Sequence, residues 1–551
     1  GDNEATGKLT VAAKSFNTAI AQSVPAISKT VITKNGMAEL TIDLPMGSKM
    51  QPWDEFHPAL YQLTAKLTTA KGIDTKQVTF GMHEFKADGR NFMINGHPVF
   101  LRGTVECAVF PLTGYAPTDE ASWSRIFKIC RAYGLNHMRF HSYCPPEAAF
   151  TAADKAGFYL YVEGPSWANY STGLGVGRPI DQFIYDETNR MAISYGNHPS
   201  FCMMGYGNEP GGKYVDYLTK FVDYWKAKDS RRLYTGAAVG GSWQIVPNNE
   251  FQIRADARGL AWNQRPETNS DHREKVAKFN VPYVAHEMGQ YCVFPDFKEI
   301  KQYTGVYKAK NFELFQEDLK DHGMADEAEK FLIASGKLQV LCYKHDLEKM
   351  MRTPGYSGFQ MLSLNDYSGQ GSALVGVLNA LWTEKGYVTA KEFTRFCNST
   401  VPLIRTEKFV YTGNETLKAA VELFNYTKPM TTALKWKLTD GQGRIINQGT
   451  LPKKTYVLAN CQSSGEINIP LSALKAPGKF NLEVSVPNTT FSNNWDFWVY
   501  PATLPSVKTD VYYTTTLDDK ARQVLNDGGK VFLTGVGKVV KGKEIIQNFT
   551  P

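Results

Sequence analysis

Apolar and polar residues alternate in two stretches of the chain, one near each end. A period of two residues is typical of strands in antiparallel sheets that bury one face. Together with the glycine and proline residues between the runs, it predicts one β-sandwich over residues 1–83 and another over residues 401–502. The clearest alternating runs cover residues 9–12, 38–44, 61–67, 417–423, 433–438 and 480–486.

The pattern changes in the middle of the chain, over residues 84–400. Short apolar runs there alternate with stretches of helical periodicity, as expected for β/α units. Eight strands with helices between them, over roughly 300 residues, predict a (β/α)8 TIM barrel. The eight predicted strands cover residues 99–106, 135–143, 158–164, 201–209, 233–239, 251–256, 283–290 and 358–366.

Residues 503–551 combine a helical stretch with a short apolar run and predict the start of an α/β domain. The chain begins at Gly1 without an initiator methionine or an apolar signal segment. We therefore expect a part of a longer protein that is periplasmic or secreted, with the signal absent from this sequence.

Composition argues against several classes of function. The 551 residues carry 61 Lys+Arg and 54 Asp+Glu, a net charge of +7, without a basic run that would predict a nucleic-acid partner. Since no stretch of about 18 apolar residues occurs, we expect no membrane span. The eight cysteines form no CxxC or CxxH pair, so we expect free thiols, no metal and no cofactor.

The candidate chemistry lies at the carboxyl ends of the predicted barrel strands, which form the active-site mouth in this architecture. Buried strands should end in apolar residues unless a site uses polar ones. Here the strand ends carry carboxylate, amide, imidazole, phenol and guanidinium groups. They are Glu106, Arg139, His141, Tyr143, Glu163, Asn208, Glu209, Arg254, Asp256, His286, Glu287, Gln290, Asn365 and Asp366.

Two of these carboxylates, Glu209 and Glu287, end the fourth and seventh strands, which face each other across the mouth. Retaining glycoside hydrolysis needs two carboxyl groups about 5–5.5 Å apart. One protonates the leaving oxygen and then activates water, and the other attacks the anomeric carbon. A lone glutamate would more often be a solvated loop residue, but the pair together with Asn208 favours the hydrolytic interpretation.

Several motifs carry a family resemblance. They are TFGMHEF at 79–85, FMINGHPVFLRG at 92–103, GLNHMRFH at 134–141, PPE at 145–147, YVEGP at 161–165, GNE at 207–209 and HEMG at 286–289. With these motifs, about residues 50–400 resemble glycoside hydrolase family 2, which contains β-galactosidases, β-glucuronidases and β-mannosidases.

The resemblance implies a retaining exo-β-glycosidase with an immunoglobulin-like sandwich before the barrel. It makes Glu209 the general acid/base and Glu287 the nucleophile. Asn208 would hydrogen-bond the sugar 2-hydroxyl, Arg139 would lie beside Glu287 and keep it ionised, and Glu163 would support the site. Further residues expected to bind substrate are His141, Trp167, Asn365 and Asp366.

The chain also departs from the family pattern. The second strand has one extra residue, which shifts His141 relative to the usual histidine. The eighth strand lacks the tryptophan that floors the first sugar subsite in the family, so the floor would come from Trp167, Trp262 or Trp382, or from an aliphatic wall. The Asn-x-Lys signature of β-glucuronidases is not evident, and the family's N-terminal jelly-roll domain is missing from this sequence.

The substrate and one rival class stay open. The terminal sugar is β-D-galactose, α-L-arabinopyranose with the same ring stereochemistry, or a uronic acid held by Arg254 and Arg258. The rival is a non-catalytic carbohydrate-binding protein on a hydrolase scaffold. The presence of both Glu209 and Glu287 argues against this class, because a protein that only binds does not need the pair. A barrel aldolase is disfavoured because no lysine ends the sixth strand. The sequence does not predict the oligomeric state.

Overall fold

The computed structural model describes residues 4–167, 172–367, 373–504 and 506–535. Its central feature is a closed barrel of eight parallel strands, in which each strand pairs with the next along the chain and the last pairs with the first. Sheets of mostly antiparallel strands lie before and after the barrel in the chain.

Before the barrel, strands β1–β4 form a four-stranded antiparallel sheet in the order β2-β1-β3-β4. They are Thr6–Phe16, Ser23–Ile32, Leu60–Thr69 and Gly72–Phe80. The strand predicted at 38–44 is wrong, because these residues form no strand. Leu44 and Met46 instead pack from a loop onto Ala13, Val24 and Tyr61 of the sheet. The described part of residues 1–83 therefore holds one sheet covered by a loop, where two sheets were predicted.

Three short strands lead into the barrel and close its amino-terminal end. They are β5 (Phe85–Asp88), β6 (Asn91–Ile94) and β7 (His97–Val99), and they form an antiparallel sheet. Phe85 and Phe92 join an apolar cluster with residues of the barrel strands, including Tyr161 and Val284. Because this end is filled by a packed core, a site can open only at the opposite, carboxyl end of the strands.

All eight predicted barrel strands are present in the predicted order, one with the predicted bounds and seven with narrower ones, which confirms the barrel. In chain order the strands are β8 (Leu101–Glu106), β9 (His137–Phe140), β10 (Tyr159–Glu163), β11 (Gly173–Leu174), β12 (Phe201–Asn208), β13 (Gly211–Gly212), β14 (Leu233–Val239), β15 (Gln252–Arg254), β16 (Tyr283–Met288) and β17 (Gly358–Met361). The two-residue strands β11 and β13 pair with each other outside the barrel.

Helices cover the outside of the barrel and bury their apolar residues in one large core with the strands. They are α1 (Glu120–Ala132), α2 (Glu147–Ala156), α3 (Pro179–Tyr195), α4 (Tyr214–Lys228), α5 (Arg273–Val276), α6 (Lys310–Asp321), α7 (Ala328–Met351) and α8 (Ala390–Phe393), with 3-10 turns at Phe297–Gln302 and Ala325–Glu327. None of the helices in the described ranges is long and apolar enough to cross a membrane.

After the barrel, two sheets face each other across an apolar core. The strands are β18 (Thr400–Arg405), β19 (Val410–Thr412), β20 (Thr416–Asn425), β21 (Met430–Thr432), β22 (Lys435–Asp440), β23 (Ile445–Thr450), β24 (Lys454–Tyr456), β25 (Ala459–Pro470), β26 (Gly478–Ser485) and β27 (Ser492–Tyr500). The two sheets have the orders β18-β20-β25 and β19-β27-β26-β22-β23. Of the predicted α/β start, β28 (Val511–Thr514), α9 (Asp519–Asn526) and β29 (Lys530–Leu533) are described, and residues 536–551 lie outside the described ranges.

Candidate active site

Glu209 and Glu287 both lie at the carboxyl end of the barrel, Glu209 directly after β12 and Glu287 near the end of β16. Both have left-handed backbone conformations, with φ of 38° and 46°. Residues other than glycine rarely adopt such angles, and backbone strain of this kind collects at functional sites. At Glu287 the pairing of β16 with β17 is irregular between Ala285 and Met288.

Arg139, which is fully buried, connects three of the predicted site residues. Its Nε donates to Glu163 Oε1 at 2.7 Å, one terminal nitrogen donates to Asn208 Oδ1 at 2.8 Å, and the other lies 3.4 Å from Glu287 Oε1. Ser142 Oγ donates to the second oxygen of Glu163 at 2.9 Å. The guanidinium fork therefore fixes residues from β9, β10, β12 and β16 relative to one another.

Glu287 is held as a carboxylate. Burial raises the pKa of Glu287, but the charge and hydrogen bond of His286 and the charges of Arg139 and His141 lower it by more. The net result is a pKa well below the usual range of a glutamate. His141 Nε2 lies 3.5 Å from Glu287 Oε1, so His141 belongs to the site despite the extra residue in its strand.

Glu209 is half-buried and contacts an aromatic side chain. Its backbone N–H donates to the Ala238 carbonyl at 3.0 Å, which fixes the chain on β14. The indole N–H of Trp167 donates to Glu209 Oε2 at 3.0 Å. Trp167 also packs edge-on against His141, with ring centroids 5.0 Å apart.

Of the three tryptophans considered for the sugar floor, the structure places only Trp167 beside the two glutamates. Its side chain is 45% exposed and so offers a surface to a ligand. Trp382 is buried in the core of the barrel domain, and Trp262 packs at the edge of that core, 6.2 Å from the ring of Tyr291.

Asn365 and Asp366, predicted to bind substrate, are instead engaged inside the protein. Asp366 is buried and forms an ion pair with Lys385 at 2.6 Å, while the N–H of Gly376 donates to it at 3.0 Å. Asn365 accepts a hydrogen bond from Ser363 at 2.7 Å. These side chains fix the segment after β17, because their polar atoms are bound by neighbouring protein groups.

A further carboxyl group, Glu106, lies at the end of β8. Burial raises the pKa of Glu106 to about 7, although hydrogen bonds from Tyr143 and from the backbone N–H groups of the following loop oppose the shift. Tyr143 donates its hydroxyl to Glu106, and the N–H of Ala108 donates to the other oxygen at 2.9 Å. The Glu106 carboxyl group should therefore gain or lose its proton near neutral pH.

The structure adds three residues to which the sequence had given no role in the site. They are Ser142, which binds Glu163, His286, which lies between Asn208 and Glu287, and Tyr367. Burial, followed by the charges of Cys107 and Glu287, raises the pKa of the Tyr367 phenol, so this side chain lies close to the site. His286 was signalled by its place at the end of the seventh predicted strand and in the HEMG motif, and no signal pointed to Tyr367.

The two arginines considered for binding a sugar carboxylate are both engaged within the protein. Arg254 forms an ion pair with Asp256 at 2.6 Å. Arg258 donates to the main-chain carbonyls of His286 and Glu287. Arg258 thereby holds the irregular backbone of β16 in place.

All eight cysteines are free thiols, as predicted.

The barrel and the polar cluster at its carboxyl end form the kind of site that TIM-barrel enzymes carry at this face. Residues 85–311 of the 551-residue chain match the family model described as glycosyl hydrolases family 2, TIM barrel domain. Residues 415–501 match a second model, a domain of unknown function.

Two curated relatives are β-galactosidases. The chain is 26% identical over 226 residues to one from Oenococcus oeni, a match that covers 38% of the chain and 21% of the relative. It is 29% identical over 157 residues to one from Thermoanaerobacter pseudethanolicus, covering 28% and 20%. The matched part thus spans about a fifth of each relative.

Among solved structures, a β-glucuronidase from Bacteroides uniformis has the same fold. The two superpose with a TM-score of 0.54 at 16% sequence identity, over 93% of this chain and 59% of the other.

Proposed function

We propose that this chain hydrolyses a terminal β-glycoside with retention of the anomeric configuration. The observation that carries the proposal is the geometry around Glu287. Its Oε1 is surrounded by Arg139, His141 and His286, while its Oε2 makes no hydrogen bond to the described residues. A carboxylate with a low pKa and an unengaged oxygen suits a nucleophile.

The reaction would take two steps. Glu287 Oε2 attacks the anomeric carbon while Glu209 protonates the glycosidic oxygen, so that the bond to the leaving group breaks and a glycosyl ester forms. Glu209, now a carboxylate, then takes a proton from water, the water oxygen bonds to the anomeric carbon, and Glu287 leaves as a carboxylate. The rival class, a non-catalytic binding protein, has no need for this pair.

The charges around the site support a neutral glycone over a uronic acid. Arg139 is fully buried with three side-chain partners, and Arg254 and Arg258 are bound to Asp256 and to main-chain carbonyls. A sugar carboxylate would have to approach Glu287 without any of these three cations to bind it. Glycones of the β-D-galactoside type, including α-L-arabinopyranosides, are therefore the favoured substrates.

The test is hydrolysis of a panel of aryl glycosides: β-D-galactoside, α-L-arabinopyranoside, β-D-mannoside, β-D-glucuronide and β-D-galacturonide. We expect one neutral glycoside to be hydrolysed, the first product to keep the anomeric configuration by proton NMR, and Glu287→Gln to be inactive. A first product of inverted configuration, or full activity in Glu287→Gln, would overturn the mechanism. Release from a uronide alone would overturn the choice of glycone.

A further inference from the structure

We propose that His286 is a positioning residue that aims both the amide of Asn208 and the carboxylate of Glu287 at the substrate. This inference rests on the proposed function, since it concerns the same reaction. His286 is 1% exposed and precedes Glu287 on β16. Its Nε2 lies 3.1 Å from Asn208 Oδ1 and 3.1 Å from Glu287 Oε1.

The backbone of β16 explains how two neighbouring residues serve one site. Successive side chains of a regular strand point to opposite faces, so His286 and Glu287 should not meet. The left-handed conformation of Glu287, with φ of 46°, and the irregular pairing between Ala285 and Met288 break this alternation. Such an irregularity re-aims a side chain, and here it brings the imidazole and the carboxylate into contact.

The neighbouring arginine identifies the atoms involved. Arg139 can only donate, so the Asn208 atom that it contacts at 2.8 Å must be the amide oxygen. His286 Nε2 faces that oxygen and a carboxylate oxygen, and it must therefore carry a hydrogen. The other ring nitrogen, Nδ1, is buried without a hydrogen-bond partner in the described ranges, so the orientation of the imidazole depends on Nε2.

This arrangement leaves one group of each side chain for the substrate. The amide oxygen of Asn208 is occupied by Arg139 and His286, which leaves its NH2 group to donate to a sugar hydroxyl. The Oε1 atom of Glu287 is occupied by Arg139, His141 and His286, which leaves Oε2 to attack. His286 thus couples the contact with the sugar 2-hydroxyl to the orientation of the nucleophile.

Two substitutions at this position provide a matched comparison. The amide nitrogen of a glutamine side chain reaches the place of Nε2 and still donates, whereas that of an asparagine side chain reaches only the place of Nδ1. His286→Gln should therefore retain most of the activity. His286→Asn should lower kcat/KM by about 10- to 100-fold, the range expected for a lost hydrogen bond to a charged group. Should His286→Asn fail to fold, His286→Leu supplies an apolar side chain of similar size without a donor.

The readout compares the glycoside that the panel identifies with its 2-deoxy analogue. We expect the loss in His286→Asn to be several-fold smaller on the 2-deoxy substrate, because the donation from Asn208 is then absent in both enzymes. Equal losses on both substrates, or equal losses in the Gln and Asn variants, would show a merely structural role and overturn the inference while the hydrolase assignment stands. If the wild-type chain hydrolyses none of the glycosides, the proposed function and this inference fall together.

Discussion

The indole N–H of Trp167 donates to Glu209 Oε2 at 3.0 Å, so an exposed aromatic side chain at the mouth holds the carboxyl group that we propose as the acid/base. The ring of Trp167 also packs against His141, which lies 3.5 Å from Glu287. Trp167 thus contacts the acid/base Glu209 directly, and it contacts His141, which in turn lies beside the nucleophile Glu287. It has two separable parts, the ring surface and the N–H donor.

Replacing Trp167 by phenylalanine keeps a ring and removes the donor. Because Glu209 must meet the glycosidic oxygen to protonate it, we expect kcat/KM to fall about 5- to 10-fold for a glycoside with a poor leaving group, the cost of one hydrogen bond. A dinitrophenyl glycoside needs little protonation and should be hydrolysed almost as before. Trp498→Phe, at a half-exposed position on β27, is the control. A uniform loss on both leaving groups would contradict this role.

Arg139→Lys keeps a positive charge and removes the planar fork. Three carboxylate and amide partners at 2.7, 2.8 and 3.4 Å cannot all be reached by one ammonium group. We expect kcat to fall about 100-fold or more, because misplacing reacting groups by about 1 Å costs that much. Steady-state kinetics and the thermal midpoint should be measured beside Arg190→Lys, whose exposed guanidinium pairs with Glu187 on α3. An unchanged kcat in Arg139→Lys would show that the guanidinium of Arg139 is not needed to position its three partners for the reaction.

Glu106 makes stability depend on pH near neutrality. Its pKa is raised by burial from 4.5 to about 7, so the folded protein binds its proton more tightly than the unfolded chain does. The stabilisation is fully present below about pH 4.5 and is lost as the pH rises through about 7. Relative to Glu106→Gln, wild type should lose about 3 kcal/mol of unfolding free energy over this range. Urea unfolding at pH 4.5, 6 and 8 measures the difference, and parallel profiles of the two proteins would contradict the assignment.

The barrel could be predicted from the sequence because each of its strands is a short apolar run set apart by helical stretches. The strand predicted at 38–44 failed because alternation does not say whether a partner strand exists, and Leu44 covers the sheet from a loop instead. His286 could not be assigned, since a period of two places it opposite Glu287 and the irregular backbone of β16 is not visible in the pattern. The periplasmic or secreted location and the domain boundaries stay predictions.

The sequence placed Asp366 at the end of the last barrel strand but could not show that its carboxylate pairs with Lys385. Substitution of Lys385 tests whether this ion pair stabilises the fold. Both side chains are buried, and a second buried carboxyl group, Glu299, interacts electrostatically with both. Burial and then the charge of Asp366 raise the pKa of Glu299, while Lys385 opposes both effects. Lys385 is therefore the cation that allows Asp366 to carry charge inside the protein.

Lys385→Met removes that cation and keeps a side chain of similar length. We expect a loss of about 3–5 kcal/mol in unfolding free energy at pH 8, the usual cost of breaking a buried ion pair. The loss should shrink toward pH 5, because both carboxyl groups can then take up protons and need no cation. Lys530→Met, whose partner Asp510 is exposed, should change stability by less than about 1 kcal/mol. If Lys385→Met instead raises KM for the glycoside without loss of stability, Asp366 belongs to the substrate site after all.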